Sequence, residues 1–208
     1  MRKVLTILAL GMMALSTAAF AGTTATGTNT VSPTLQVSAT IQSAVQLTLS
    51  TGTSAALHCT VTPTGGTPDY TMSFGTVDAL GLSTPTCGNK FAPTTPGVTD
   101  AVYWSDYNLN PVFTSQTTAN NTITAKVTTD FAAPKNIFIV RDSANSSTVP
   151  ASAAQFTAVS TGTPDTIVTN AASGVAQTRF IGVEVTPANG AVLTGAQSAT
   201  VTFTLTVQ

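Results

Sequence analysis

Residues 31–50 read VSPTLQVSATIQSAVQLTLS, and this stretch decides the fold class. From Leu35 to Leu49 every second residue is apolar or small, and the residues between them are Thr, Ser, Gln or Ala. A period of two predicts a β-strand with one face in a core and the other in water. At about 3.3 Å per residue the stretch would span roughly 50 Å, about three times an ordinary strand. The stretch therefore either bends and belongs to two sheets, or its first part pairs with a partner outside its own domain.

The apolar face of this stretch is interrupted at Ser43, and the interruption divides it into two parts. Residues 45–49 are predicted to be the first strand of the chain's own domain. The earlier part is a candidate donor strand, and its inserting face would consist of four alternating residues: Leu35, Val37, Ala39 and Ile41. The alternative is that this part pairs inside its own domain.

The first 21 residues have the pattern of a secretory signal peptide. Arg2 and Lys3 precede an apolar run over residues 4–15, and Ala19-Phe20-Ala21 is a small-x-small cleavage site. We therefore expect an exported protein of the periplasm, the cell surface or the medium. The expected organisation is a signal peptide (1–21), a flexible leader with the candidate donor strand (22–42) and a single β-sandwich domain (43–208).

The composition excludes several classes of function. Only 7% of the residues are charged, against about 25% in a typical soluble domain. Without a basic patch, nucleic acid and anionic membranes are poor partners. No later run is apolar and long enough to predict a membrane span. The chain has 43 threonines, which are β-branched and polar and so suit the wet face of a strand.

Further strand candidates alternate along the rest of the chain, and no segment after the signal has a convincing helical period. The candidates lie at residues 57–62, 70–74, 101–107, 122–131, 136–141, 166–169, 180–186 and 200–208. Turn signals separate them, which is typical of an all-β sandwich. In the last candidate, four residues share the inward face and are predicted to form a groove wall: Val201, Phe203, Leu205 and Val207.

The two cysteines predict a disulfide, because an even number is typical of exported proteins. A bridge between Cys59 and Cys87 would close a loop of about 29 residues and stabilise the fold by roughly 3–4 kcal/mol. Two buried free thiols are the alternative. His58 is the chain's one histidine, and neither metal-ligand spacing nor a catalytic motif accompanies it. We therefore predict no metal, no cofactor and no enzymatic activity.

One aromatic cluster has two interpretations. Tyr103, Trp104 and Asp106 lie close together in a predicted strand. Aromatic rings beside a carboxylate would suit a sugar, and the three residues are an alternative ligand platform. However, Trp104 and Asp106 share one face of the strand while Tyr103 lies on the other. The favoured interpretation is that the chain's single Trp packs in the sandwich core.

Three features together resemble the pilins of bacterial chaperone–usher systems, in particular the archaic class and its spore-coat-protein-U-like relatives. The alternating leader lies where that family keeps its donor strand, and the final strand at 201–207 ends the chain as a pilin's last strand does. The segment Ser73-Phe74-Gly75-Thr76-Val77-Asp78 is similar to the family's Phe-Gly-Thr-Tyr-Asp turn. A cysteine usually ends the first strand of those pilins, whereas this chain has Ser43-Ala44-Val45 there.

The resemblance implies an immunoglobulin-like sandwich that lacks one strand and is completed by a donor strand. A periplasmic chaperone would fill the gap first, and the leader of the next subunit would then replace it, which builds a homopolymer. The function so implied is that of a structural or adhesive fimbrial subunit at the cell surface. The alternatives are a secreted carbohydrate- or surface-binding module and an autonomous immunoglobulin-like domain.

Overall fold

The computed structural model describes residues 36–39, 44–114, 120–187 and 194–208. The chain divides into two units, Met1–Thr40 and Ile41–Gln208. In the first unit, residues 36–39 are exposed and have no regular secondary structure. In the second unit, the described residues form antiparallel sheets that pack together, which confirms the predicted all-β sandwich. No helix among the described residues is long and apolar enough to cross a membrane.

Eleven strands and one short 3-10 helix make up the described part of the second unit. The strands are β1 (Val45–Thr51), β2 (Thr62–Pro63), β3 (Tyr70–Thr71), β4 (Asn89–Phe91), β5 (Ala101–Phe113), β6 (Thr122–Thr129), β7 (Ile137–Asp142), β8 (Phe156–Ala158), β9 (Asp165–Val168), β10 (Gln177–Val185) and β11 (Thr200–Thr206). The 3-10 helix, Ala153–Gln155, directly precedes β8.

The strands form two main sheets and a separate hairpin. The larger sheet has the order β1-β5-β10-β7-β8, with β4 also paired to β5. The second sheet has the order β11-β6-β9, and β2 pairs with β3. Strand β5 is long enough to pair with β1 through residues 107–113 and with β4 through residues 102–104. The edge strands β1 and β11 therefore belong to different sheets.

The core between the two sheets follows from the alternation predicted by the sequence. In β6, Ile123, Ala125 and Val127 are buried, while Thr124 and Lys126 between them are only half-buried. These side chains pack with Tyr107 and Leu109 of β5. The larger sheet is also covered on its other face, where buried aromatic residues form a second cluster around Trp104 and Phe180. Burial on both faces explains why β5 has almost no exposed residue.

The strand predicted at residues 57–62 is wrong except at its last residue. Thr62 opens the two-residue strand β2, and residues 57–61 have no strand structure. The physical reason is that side chains satisfy the backbone amides of this segment. The Cys59 amide donates to Ser105 Oγ at 2.8 Å, and the Val61 amide donates to Thr51 Oγ1 at 2.9 Å. No ladder partner is needed for these groups.

Candidate functional site

An apolar groove of about 380 Å³ lies on one side of the core, between the edge strands of the two sheets. We call it the open groove. Leu47 and Leu49 of β1 line it on one side, and Val201 and Phe203 of β11 line it on the other. Its further apolar lining comes from the interior of the larger sheet and from the β2–β3 region: Val61, Tyr70, Met72, Phe74, Tyr107, Ile139, Ile181 and Ala199.

The two strands that flank the open groove are only half covered. Leu47, Leu49, Val201 and Phe203 pack against the core cluster, yet none of the four is fully buried. Within the described part of the chain, β1 pairs only with β5 and β11 pairs only with β6. The groove therefore combines an apolar interior with two strand edges that face it, and such edges readily accept a further strand.

The predicted groove wall lies on β11 and just beyond it. Val201 and Phe203 line the open groove, and the Phe203 ring packs on Tyr107 with 5.5 Å between ring centroids. Leu205 packs against the same core cluster but is not part of the groove lining. Val207 follows the end of β11, is partly exposed and does not line the groove either.

Only two of the four residues of the predicted donor face are among the described residues. Val37 and Ala39 are exposed, and the Val37 side chain has 81% of its surface accessible, the largest fraction among the exposed large apolar residues. Leu35 and Ile41 lie outside the described residues.

The three residues considered as a ligand platform are all in the interior. Tyr103 and Asp106 have no accessible surface and Trp104 has 4%. Trp104 stacks on Phe91 at 5.6 Å and meets Phe180 edge-on at 5.7 Å, in the cluster on the outer face of the larger sheet. Tyr103 belongs to a different cluster, on the opposite face of the larger sheet. The structure thus does not bring these side chains to an exposed surface on which a sugar could stack.

His58 and Asp106 form a part-buried, hydrogen-bonded pair. The His58 Nδ1 lies 2.6 Å from the Asp106 carboxylate, which has no accessible surface. The carboxylate also accepts hydrogen bonds from the amides of Ser54 at 2.5 Å and Ala55 at 3.0 Å. Burial acts to raise the pKa of Asp106, but His58 and the two amides outweigh it and hold the pKa below its ordinary value.

This arrangement fastens a loop to the larger sheet. Ser105 Oγ, the nearest hydroxyl in sequence, is itself buried; it accepts the Cys59 amide and donates to the Asp106 carbonyl. The loop that carries His58 leads directly into Cys59, whose predicted disulfide with Cys87 is confirmed. The pair and the two amide bonds hold Ser54, Ala55 and His58 against the outer face of the larger sheet, and the disulfide joins the end of this loop to Cys87.

The turn ending at Asp78 is a second rigid feature. The Asp78 carboxylate accepts hydrogen bonds from the amides of Leu80, Leu82 and Ser83. Burial opposes these bonds, but they lower the pKa of Asp78 to about 2. The Tyr103 hydroxyl bonds to both backbone groups of Asp78, at 3.1 and 3.2 Å. The turn is thereby fixed on the sandwich.

Glu184 provides a pH-dependent prediction. Burial, followed by its hydrogen bond to the Asp100 carboxyl, raises the pKa of Glu184 to about 7 from 4.5. The folded state thus binds a proton that the unfolded state releases, and stability contributed by that proton falls as pH rises from about 4.5 to about 7.

We expect Glu184→Gln to unfold at a higher temperature than the parent at pH 8 and to lose this advantage at pH 5. Thermal unfolding monitored by circular dichroism measures it, and Gln177→Glu, an added carboxyl on the same strand, is a control without the Asp100 partner. An equal shift at both pH values would contradict the assignment.

Several groove residues were missed by the sequence analysis. Tyr70 and Met72 alternate with exposed neighbours, and this period of two was the available signal, but it did not show which surface they face. Ile139 and Ile181 lie within predicted strands, and only the strand order brings them to one groove. Among the described residues, no three His, Cys, Asp or Glu side chains are grouped so that they could hold a metal ion.

Known proteins provide no counterpart from which a site could be transferred to this chain. The function must therefore be inferred from the open groove, its two edges and the leader. No protein-family model, no curated protein and no solved structure matches the chain.

Proposed function

We propose that this protein is an exported, pilin-like structural or adhesive subunit that assembles into a homopolymer by β-strand exchange. Residues 35–41 of one copy would insert into the open groove of the next. The observation that carries the proposal is the groove itself, which places half-covered apolar side chains between the edges of β1 and β11. Before assembly, a periplasmic chaperone would cover the same surface.

The strand order supports an immunoglobulin-like sandwich that lacks its last strand. In the constant-type immunoglobulin fold, strands A, B, E and D form one sheet and strands C, F and G form the other. Taken in chain order, β1, β5, β6, β7, β10 and β11 fit A to F, because β1-β5-β10-β7 is the order A-B-E-D and β6 neighbours β11. Strand G would lie beside β11 on the side away from β6, and no strand of the described residues occupies that place.

The leader has the chemistry that this gap requires. An inserted strand would satisfy edge amides and carbonyls of the flanking strands and turn every second side chain into the groove. Leu35, Val37, Ala39 and Ile41 supply apolar or small side chains at that spacing. The exposure of Val37 supports a role outside its own unit, because a large apolar side chain in water gains free energy when a partner buries it.

The disulfide and the composition support the proposed location. Disulfides form and persist in oxidising compartments such as the periplasm and the cell surface. A chain with 7% charged residues keeps little electrostatic repulsion between neighbouring copies, which suits subunits packed side by side.

The test is a pair of charge substitutions on opposite faces of the leader in the exported chain, residues 22–208. We expect Val37→Asp with Ile41→Asp to abolish polymers, because burying an unpaired carboxylate in an apolar groove costs several kcal/mol. The matched control, Ser38→Asp with Thr40→Asp, adds the same charge to the face that would remain in water and should still polymerise. Size-exclusion chromatography with light scattering, after refolding at high protein concentration, measures both.

A peptide of residues 31–42 supplies the complementary measurement. Added to the Val37→Asp/Ile41→Asp chain, it should raise the unfolding temperature in proportion to the logarithm of its concentration. If both double variants and the parent remain monomers, and the peptide changes nothing, strand exchange is wrong and an autonomous domain is the better description. A monomeric parent whose unfolding temperature drops only in the Val37→Asp/Ile41→Asp variant would instead show pairing within one chain.

A further inference from the structure

The hairpin of β2 and β3 is held only weakly to the rest of the sandwich by its backbone. Its ladder consists of the pairs Thr62–Thr71 and Pro63–Tyr70, extended by a hydrogen bond from the Thr64 amide to the Asp69 carbonyl at 2.9 Å. Among the described residues neither strand pairs with either main sheet, and residues 62–69 are all exposed. An isolated two-stranded hairpin is marginally stable in water.

Two half-buried side chains attach this hairpin to the open groove, and the exposed residues Thr67, Pro68, Asp69 and Thr71 line the groove beside them. Tyr70 and Met72 are half-buried, line the groove and pack against the core cluster, whereas Thr71 between them is exposed. Leu47 of β1 and Val201 of β11, on the flanking strands, line the same groove. The hairpin therefore uses apolar surface that an inserted strand would also use.

Both ends of the hairpin are fixed to the rest of the second unit. Movement of the hairpin would therefore be a rotation of residues 62–71 as one piece between these two attachments. On one side, Val61 is buried and its amide is bonded to Thr51 Oγ1. On the other side, the Phe74 carbonyl accepts the Thr86 amide at 2.9 Å. The disulfide between Cys59 and Cys87 ties the two flanks together.

We propose that the β2–β3 hairpin is a displaceable plug, which covers the open groove through Tyr70 and Met72 in the free subunit and swings out when a donor strand enters. The inference rests on the proposed function, because it specifies how the same groove is regulated. The plug shields apolar side chains from water until a strand arrives, and its displacement slows strand entry. Exposed groove surface, a hazard for aggregation, is thereby reduced in the unassembled subunit.

Hydrogen exchange on the Val37→Asp/Ile41→Asp chain, with and without the 31–42 peptide, tests the plug. We expect amides of β1 and β11 to exchange more slowly with the peptide, and amides of residues 64–72 to exchange faster. Slower exchange in β1 and β11 with unchanged or slower exchange in the hairpin would overturn the plug and leave strand exchange standing. If β1 and β11 do not slow, strand exchange itself fails, and the plug fails with it.

Peptide association kinetics provide a second measurement in the same chain. Tyr70→Ala and Met72→Ala should each raise the association rate constant by roughly tenfold, because a binding-competent state populated at a few per cent limits association in the parent. Thr62→Ala, at an exposed position of the same hairpin that does not line the groove, should leave the rate constant unchanged. A rate constant that stays the same in all three variants, with only dissociation accelerated, would make Tyr70 and Met72 fixed walls of the groove and refute the plug.

Discussion

Asp106→Ala is expected to lower the free energy of unfolding by roughly 3–5 kcal/mol. The substitution removes three interactions at once, from the amides of Ser54 and Ala55 and from the His58 ring. The Ala55 amide would be left without an acceptor in a buried position, which costs about 1–3 kcal/mol, and the part-buried Ser54 amide would add less. Guanidinium denaturation followed by circular dichroism measures the loss.

Two milder variants separate the contributions at this site. Asp106→Asn keeps an acceptor oxygen but loses the charge, and we expect a smaller loss than with Ala. His58→Asn leaves the two amide bonds in place, and we expect a loss of about 1 kcal/mol, since His58 is partly exposed. Because the folded-state pKa of Asp106 is lowered, its contribution is present above the unfolded-state pKa of 3.8 and declines as the pH falls. Equal unfolding midpoints for Asp106→Ala and the parent would disprove the role of the carboxylate.

Removal of the disulfide is the other large expected effect. The bridge joins residues separated by 28 positions, and the chain-entropy model assigns it roughly 3–4 kcal/mol. For a domain of this size the corresponding decrease in unfolding temperature is roughly 10 °C. We expect this decrease in Cys59→Ala/Cys87→Ala and in the parent treated with a reducing agent, measured by differential scanning calorimetry.

The reducing agent also supplies the control. It should leave the double variant unchanged, since no other cysteines are present in the chain. A parent that unfolds at the same temperature with and without the agent would show that the bridge does not constrain the unfolded chain. Because Cys59 and Cys87 also hold the flanks of the β2–β3 hairpin, the reduced chain should take up the 31–42 peptide faster than the oxidised one.

The two faces of the larger sheet differ in how far they are covered. Its outer face is closed by the aromatic cluster around Trp104 and by the His58–Asp106 pair. Its inner face is closed over most of its area by the second sheet but opens into the groove beside β1. For the strand exchange proposed above, a closed outer face would let the opposite side exchange one strand for another without loss of the fold.

Much of the fold was predictable because its signals are local. The alternation at residues 45–49, 122–131 and 200–208 predicted three strands, and β1, β6 and β11 were found there at Val45–Thr51, Thr122–Thr129 and Thr200–Thr206. The segment around Phe156 is weakly patterned, and no strand was predicted there. Phe156 nevertheless begins β8, and its ring centroid lies 6.0 Å from that of Trp104. Segment 57–61 was misjudged for a different reason: it is a loop whose Cys59 amide bonds to Ser105 Oγ and whose His58 ring bonds to the Asp106 carboxylate.

By itself, the sequence determined the all-β class, the disulfide and an alternating leader, since a period of two and a cysteine count require no knowledge of distant neighbours. Only the tertiary structure decided that β1 and β11 flank an open groove, because their order in the sheets depends on pairing with β5 and β6 far along the chain. The same holds for the His58–Asp106 pair, which joins residues 48 positions apart. Burial likewise decided the role of Trp104, whose ring could have faced either a ligand or a core until its neighbours were known.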